Sequence, residues 1–254
     1  MILLFKLLLA PSLVALASLA GRRWGLRVGG AVAGFPVVVG PILLFFALEQ
    51  GAPFAAEASL KCLWGVLPFV AFCIAMSWSC LRLPLFPSLL IGWSAFFGIS
   101  LLGLHSQAGL GACALTALAS TVFGRQLLPP VPPHKLVLAA PSRWDIPLRM
   151  GATLGLLLSL TAAAKALGPL WSGALAAFPV ASSILGSFAY LSDGPKGPAA
   201  LFRGSLLGSY SFGTFCAVLA LGLAAFSLPT AFLTALFSAL AVQTGALFLM
   251  SRKN

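Results

Sequence analysis

The stretch AGLGACALTALASTVF, from Ala108 to Phe123, decides the fold. It carries no charge, but it is short for a hydrocarbon core roughly 30 Å thick and rich in Gly and Ala. If it crosses a membrane, everything after it changes side. Around it the chain is a succession of apolar runs of about twenty residues. These predict helices near Met1 to Ala20, Val28 to Leu48, Leu60 to Cys80, Phe86 to Leu104, Pro147 to Ala166, Leu170 to Leu191, Ala200 to Ala225 and Leu228 to Met250.

Charge argues that the short stretch does cross. With nine spans and the N-terminus outside, twelve basic residues fall on the cytoplasmic side: Arg22, Arg23, Arg27, Arg82, Arg125, Lys135, Arg143, Arg149, Lys196, Arg203, Arg252 and Lys253. Three, Lys6, Lys61 and Lys165, do not. A bias of this size in short loops is the kind that sets orientation, and it collapses if the fifth span is removed. The expected fold class is therefore all-α: a polytopic membrane helix bundle of about nine spans, with a periplasmic N-terminus and a cytoplasmic C-terminus.

Composition excludes the alternatives. The 254 residues are 60% hydrophobic and 7% charged, with mean hydropathy +1.06, so they cannot cover a soluble domain with polar surface. The net charge of +11 is explained by residues flanking membrane helices rather than by nucleic acid. Arg22, Arg23 and Arg27 follow the first apolar run, whereas a cleaved leader carries its positive charge before it, so a retained first helix is expected. Five cysteines stand in apolar stretches without metal-ligand spacing and read as small packing residues.

Sliding the chain on itself by 143 residues aligns Gly25–Cys73 with Gly168–Cys216 without a gap, at 16 identities over 49 positions. About five would arise by chance at this composition. The matches include Gly30/Gly173, Phe35/Phe178, Pro36/Pro179, Gly51/Gly194, Gly65/Gly208 and Cys73/Cys216, and the same offset carries Lys6 onto Arg149 and Arg22 onto Lys165. Residues 1–105 and 147–254 then form two four-helix repeats, with 106–146 as a linking helix and a Pro-rich cytoplasmic connector around Pro129, Pro130, Pro132 and Pro133. The linking helix turns the second repeat upside down, a plan recurrent in secondary transporters and similar to that of the drug/metabolite transporter superfamily.

Candidate substrate contacts follow from the repeat. Phe35-Pro36 and Phe178-Pro179 each stand some eight residues into a predicted span, where proline frees a backbone carbonyl that a helix, water or substrate must satisfy. Lys6 and Arg149 are near enough to the interfaces to snorkel; turned inward they would favour an anion. Ser183 and Tyr210 belong to a run of hydroxyl side chains in the seventh and eighth spans that suits an uncharged or lipid-like ligand, although such groups also bond their own helix. Glu49, Glu57, Asp145 and Asp193 are placed at helix ends or in loops, which counts against a simple proton antiporter. With His105 and His134 remote from carboxylates and cysteines, no catalytic, metal or cofactor site is expected.

Phe35-Pro36, the run Trp64-Gly65-Val66-Leu67-Pro68-Phe69-Val70, Arg82-Leu83, Gly92-Trp93 and Gly98-Ile99-Ser100 resemble the small four-helix bacterial membrane proteins called GlpM-like. The likeness covers about the first 105 residues and, more weakly, the last 105. It implies a duplicated unit in the bacterial inner membrane. In the second half Leu207 and Ser211 replace Trp64 and Pro68, so a shared site there does not follow. The expected function is a transporter or flippase for a small or amphipathic compound, anions among the candidates. The alternative is a non-transporting accessory subunit of an envelope-assembly complex. Expected partners are membrane lipid, the small-molecule or lipid-like substrate, and a second copy or another membrane protein.

Overall fold

The computed structural model describes residues 2–36, 39–103, 108–131, 144–167 and 178–251. Among them stand eleven helices and no strand: α1 (Ile2–Trp24), α2 (Leu26–Ala33), α3 (Val39–Gln50), α4 (Ala52–Trp64), α5 (Val66–Ser79), α6 (Leu85–Gly103), α7 (Leu110–Leu127), α8 (Asp145–Leu167), α9 (Val180–Asp193), α10 (Gly197–Ala225) and α11 (Leu228–Ser251). Four helices are long and apolar enough to cross a membrane: the continuous α4–α5 pair, α6, α10 and α11. The outer surface fits that solvent. Leu102, Leu115, Phe123, Leu221 and Phe237 are exposed, and a protein in water would not leave such large side chains bare over several helices.

The helix boundaries correct the sequence expectations in several places. The second predicted span is two helices, broken at Gly34-Phe35-Pro36. Pro36 has no N–H to offer the Val32 carbonyl, so the Phe35 N–H bonds there instead at 3.2 Å. The third begins at Ala52 rather than Leu60, because Gly51 (φ 91°) makes the turn and Pro53 suits a first helical turn. Glu57 is thus helical, not in a loop, and Asp145 opens α8. The fifth runs on to Leu127 and takes in Arg125, while the eighth starts at Gly197. The first half of the seventh and most of the Pro-rich connector lie outside the described residues.

Helix α10 is the centre of the bundle. Of its most apolar window 56% is buried in protein, against 17% for α6 and 22% for α11, which therefore stand at the periphery. Lipid gives helices no hydrophobic reason to associate, so close backbone packing must do it. Gly30 and Gly34 of α2 face Gly204 and Gly208 of α10, two GxxxG patterns in contact. A Cβ on Gly30 would overlap the Leu201 carbonyl and one on Gly204 the Arg27 carbonyl; one on Gly34 would stand 2.6 Å from the Ser205 oxygen. A single buried cluster draws on both halves, with Leu43, Leu63, Phe72 and Cys73 beside Phe202, Leu206, Phe215 and Cys216. The repeat-matched Gly51 and Gly194 (φ 74°) share a positive φ with extended ψ, open to glycine, at the turns before α4 and after α9.

Cross-contacts sort the helix ends. Arg22 of α1 pairs with Asp145 of α8. The indole Nε1 of Trp78, at the end of α5, donates to the Leu127 carbonyl at the end of α7. Arg203, near the start of α10, donates to the carbonyls of Leu128 and Pro129. Arg27, at the start of α2, lies on Gly204. One end of the bundle therefore gathers the ends of α1, α5, α7 and α9 and the starts of α2, α8 and α10, with Arg22, Arg23, Arg27, Arg82, Arg125, Arg149, Lys196 and Arg203 around it.

The glycine crossing gives a direct test. Gly30→Val and Gly204→Val are expected to cost about 3 kcal/mol or more by forcing backbones apart, read as loss of monodisperse protein or a lowered thermal midpoint. Gly151→Val and Gly155→Val, where nothing lies within 4 Å of the added Cβ, should leave both unchanged.

Candidate functional site

Phe178 and Pro179 stand outside helix, immediately before α9. The Val180 N–H closes a tight bond to the Phe178 carbonyl at 2.8 Å, and the Pro179 carbonyl accepts from the Ser183 N–H at 2.9 Å to start the helix. The Phe178 ring is held by three rings of α6: stacked on Phe97 at 5.5 Å, and edge-on to Trp93 at 5.5 Å and Phe96 at 5.7 Å. Such pairs contribute roughly 0.5–1.5 kcal/mol each beyond their buried area. The Trp93 Nε1 donates to the Ser183 hydroxyl at 3.1 Å. Phe178, Pro179 and Ser183 thus come together as an aromatic-walled element between α6 and α9.

Phe35 and Pro36 form a break between α2 and α3, with Phe35 half-buried and Pro36 buried. Because the Phe35 N–H bonds to Val32, the Ala31 carbonyl loses its helical donor. Gln243 of α11 supplies a replacement through Nε2 at 3.1 Å. The Gln243 side chain is buried, and its Oε1 has no partner among the described residues. Sequence reasoning missed this residue. Its trace was there: Gln243 is the one amide side chain in the last predicted span.

Arg149 neither snorkels nor stands free. It is 8% exposed, with Nη2 donating to the Asp145 carboxylate at 3.2 Å, Nε 2.9 Å from the other carboxylate oxygen without hydrogen-bond alignment, and the Phe188 ring 4.7 Å from the guanidinium carbon. Nη1 reaches the Ser18 hydroxyl at 3.4 Å. Arg22 closes the group as the second partner of Asp145 at 2.5 Å. Burial alone would raise the Asp145 carboxyl, but the hydrogen bonds and charges of Arg22 and Arg149 hold it below the ordinary carboxylate range. At Asp193 burial prevails over the Ser192 hydroxyl and the charge of Arg149 and pushes the carboxyl up.

The neighbours of Arg149 (Ser18, Asp145, Phe188) and those of Phe178 (Trp93, Phe96, Phe97) have no residue in common, so these are two places along α9. Tyr210 is half-buried on α10, where Ser205, Ser209 and Thr214 bond carbonyls of their own helix and Ser211 reaches across to Ala239. The Lys6 side chain lies outside the described residues. A surface hollow of about 500 Å³, lined by Trp78, Ser79, Arg82 and Leu83, opens at the basic end instead. Comparison with family models, curated proteins and solved structures finds no match for the chain.

Two outcomes check this geometry. Gln243→Leu strands the Ala31 carbonyl and is expected to cost about 1–3 kcal/mol in thermal or denaturant unfolding, whereas Thr244→Ala, an exposed hydroxyl bonded only to carbonyls of its own helix, costs nothing measurable. Asp145 is held low, so its contribution is complete at neutral pH and disappears as pH falls through that lowered value. The unfolding midpoints of wild type and Asp145→Asn should differ at pH 7 and converge in acid.

Proposed function

We propose that the chain is a bacterial inner-membrane transporter or flippase that moves a small or amphipathic compound between two inverted four-helix repeats. The observation that carries this reading is a matched pair of Phe-Pro elements, the first separating α2 from α3 and the second standing directly before α9. Phe35-Pro36 and Phe178-Pro179 lie 143 residues apart, at matched repeat positions, and both stand outside helix. Interrupted helices in corresponding positions of two halves are the recurrent mark of a midplane binding site. Phe35, Pro36, Phe178, Pro179 and Ser183 are its proposed contacts, with Tyr210 on the neighbouring α10.

Parity of the helix ends supports nine crossings. Four segments, α2–α3, α4–α5, α6 and α7, separate the end of α1 from the start of α8, and Arg22–Asp145 holds those two ends together. An even number of crossings satisfies that contact, and α7 makes the number even. The basic residues gathered there favour the cytoplasm for that end. The resemblance to GlpM-like proteins favours the inner membrane.

The substrate class follows from the walls. Aromatic rings suit an amphipathic body, and the starts of α3 and α9, the positive ends of their dipoles, follow the two Phe-Pro elements and suit an anionic group. Arg149 is engaged with Asp145 and offers its charge to a substrate when that pair opens; Lys6 is its counterpart by sequence at the opposite face.

Single cysteines in a cysteine-free background test the reading. An impermeant thiol reagent is expected to label a cysteine at Glu57 from outside and one at Lys196 from inside; labelling of both from one side would sink the inverted plan. Cysteines at Phe35 and Phe178 are expected to react from either side as the molecule alternates. Protection from both sides would instead favour an accessory subunit that moves nothing.

A further inference from the structure

We propose that Arg27, Arg125 and Arg203 form a binding site for a phosphate group at the basic end of the bundle, supplied by the headgroup of an anionic phospholipid. The three side chains come from separate elements: Arg27 from the first turn of α2, Arg125 from the last turn of α7 and Arg203 from the second turn of α10. Backbone contacts fix them together. Gly204 lies directly on the backbone of Arg27, and Arg203 Nη2 donates to the Leu128 and Pro129 carbonyls at 3.0 Å each, one turn beyond Arg125. The charges of Arg27 and Arg125 both act on Arg203.

No carboxylate answers them. Among the described residues both ion pairs use Asp145, whose partners are Arg22 and Arg149. Asp193 takes the Ser192 hydroxyl and faces Arg149. Glu49 and Glu57 stand on α3 and α4, toward the opposite end. Three half-buried guanidinium groups without a counter-charge repel one another at a dielectric below that of water. Fully solvated flanking arginines would do no such thing, so residues that merely orient the chain in the membrane do not explain a convergent, half-buried trio.

Arg203 adds a second observation. Its Nε is wholly buried and has no hydrogen-bond partner among the described residues. A guanidinium edge with an unused N–H is the donor that a phosphate oxygen takes, often alongside a second N–H of the same fork. The start of α2 contributes in the same sense, since Gly25 (φ 92°) gives its first turn no side-chain cap. The surroundings favour a lipid as the source. Trp78 bonds the Leu127 carbonyl beside this trio and lines the 500 Å³ hollow with Arg82 and Leu83, and Trp78, Leu83 and Phe86 are exposed there as an apolar margin. Tryptophan and arginine beside an apolar margin suit the headgroup level of a bilayer.

The test uses the full chain purified in a non-ionic detergent at constant ionic strength. Phosphatidylglycerol is expected to raise the thermal midpoint of the wild type by several degrees, while phosphatidylcholine and sodium sulfate do not. In Arg27→Gln/Arg125→Gln the shift should fall to less than half. Neither arginine side chain makes a hydrogen bond among the described residues, so the lipid-free variant should be at least as stable as wild type because repulsion is relieved. Arg23→Gln, an exposed arginine stacked on Trp24 at the same end, should keep the full shift. A shift produced by inorganic phosphate and lost in the double variant would uphold the site with a soluble anion as its source. Equal shifts in wild type and double variant would overturn it, as would native mass spectra in which the wild type retains phosphatidylglycerol no better than phosphatidylcholine.

Discussion

The contact on which the rest of the structure depends is the crossing of α2 and α10, backbone on backbone, through Gly30, Gly34, Gly204 and Gly208. In lipid a leucine gains little by leaving the tails for another helix, and attraction must come from close approach. Removing four side chains lets two helices meet at carbonyl range. That meeting brings Arg27 over Gly204, sets the Phe35-Pro36 break beside the central helix and leaves the Ala31 carbonyl where Gln243 can reach it. Side chains too bulky at any of the four positions would move all three features together.

Much of this is legible in the sequence. Apolar runs locate every helical segment among the described residues, and residue matches across the repeat are enough to single out the two Phe-Pro elements. The broken second span has a plain cause. A run of apolar residues reports that a segment is in lipid but not whether its backbone is continuous, so Val28 to Leu48 reads as one helix although proline at position 36 removes the donor that continuity needs. The α2–α10 crossing is hidden for a different reason: the repeat maps Gly204 onto Lys61, so self-comparison does not reveal the second GxxxG.

Long-range charge contacts are beyond reach for a third reason. Asp145 and Arg149 are four apart, and their pairing is local. Arg22 joins them across 123 residues, a contact that no spacing rule predicts. Buried polar groups behave likewise: Gln243 is visible as an oddity in an apolar span, but its purpose appears once the break opposite it is known. At Gln243 an interior polar side chain is explained by a defect in a neighbouring helix.

The Arg22–Asp145–Arg149 group has a consequence for symmetry. An inverted duplication ought to give each face the same fastening, but the offset of 143 that carries Arg149 onto Lys6 and Arg22 onto Lys165 carries Asp145 onto Ile2. One end has cation, anion, cation, and the positions that the offset matches to it keep the cations without the anion. Two halves that rock as proposed would then not spend equal time in their two postures, and the posture that keeps the Arg22–Asp145–Arg149 group closed would be favoured. One carboxylate present at a single member of the matched positions is enough to make two such postures unequal in population, while the direction of any net movement would be set by the gradients across the membrane.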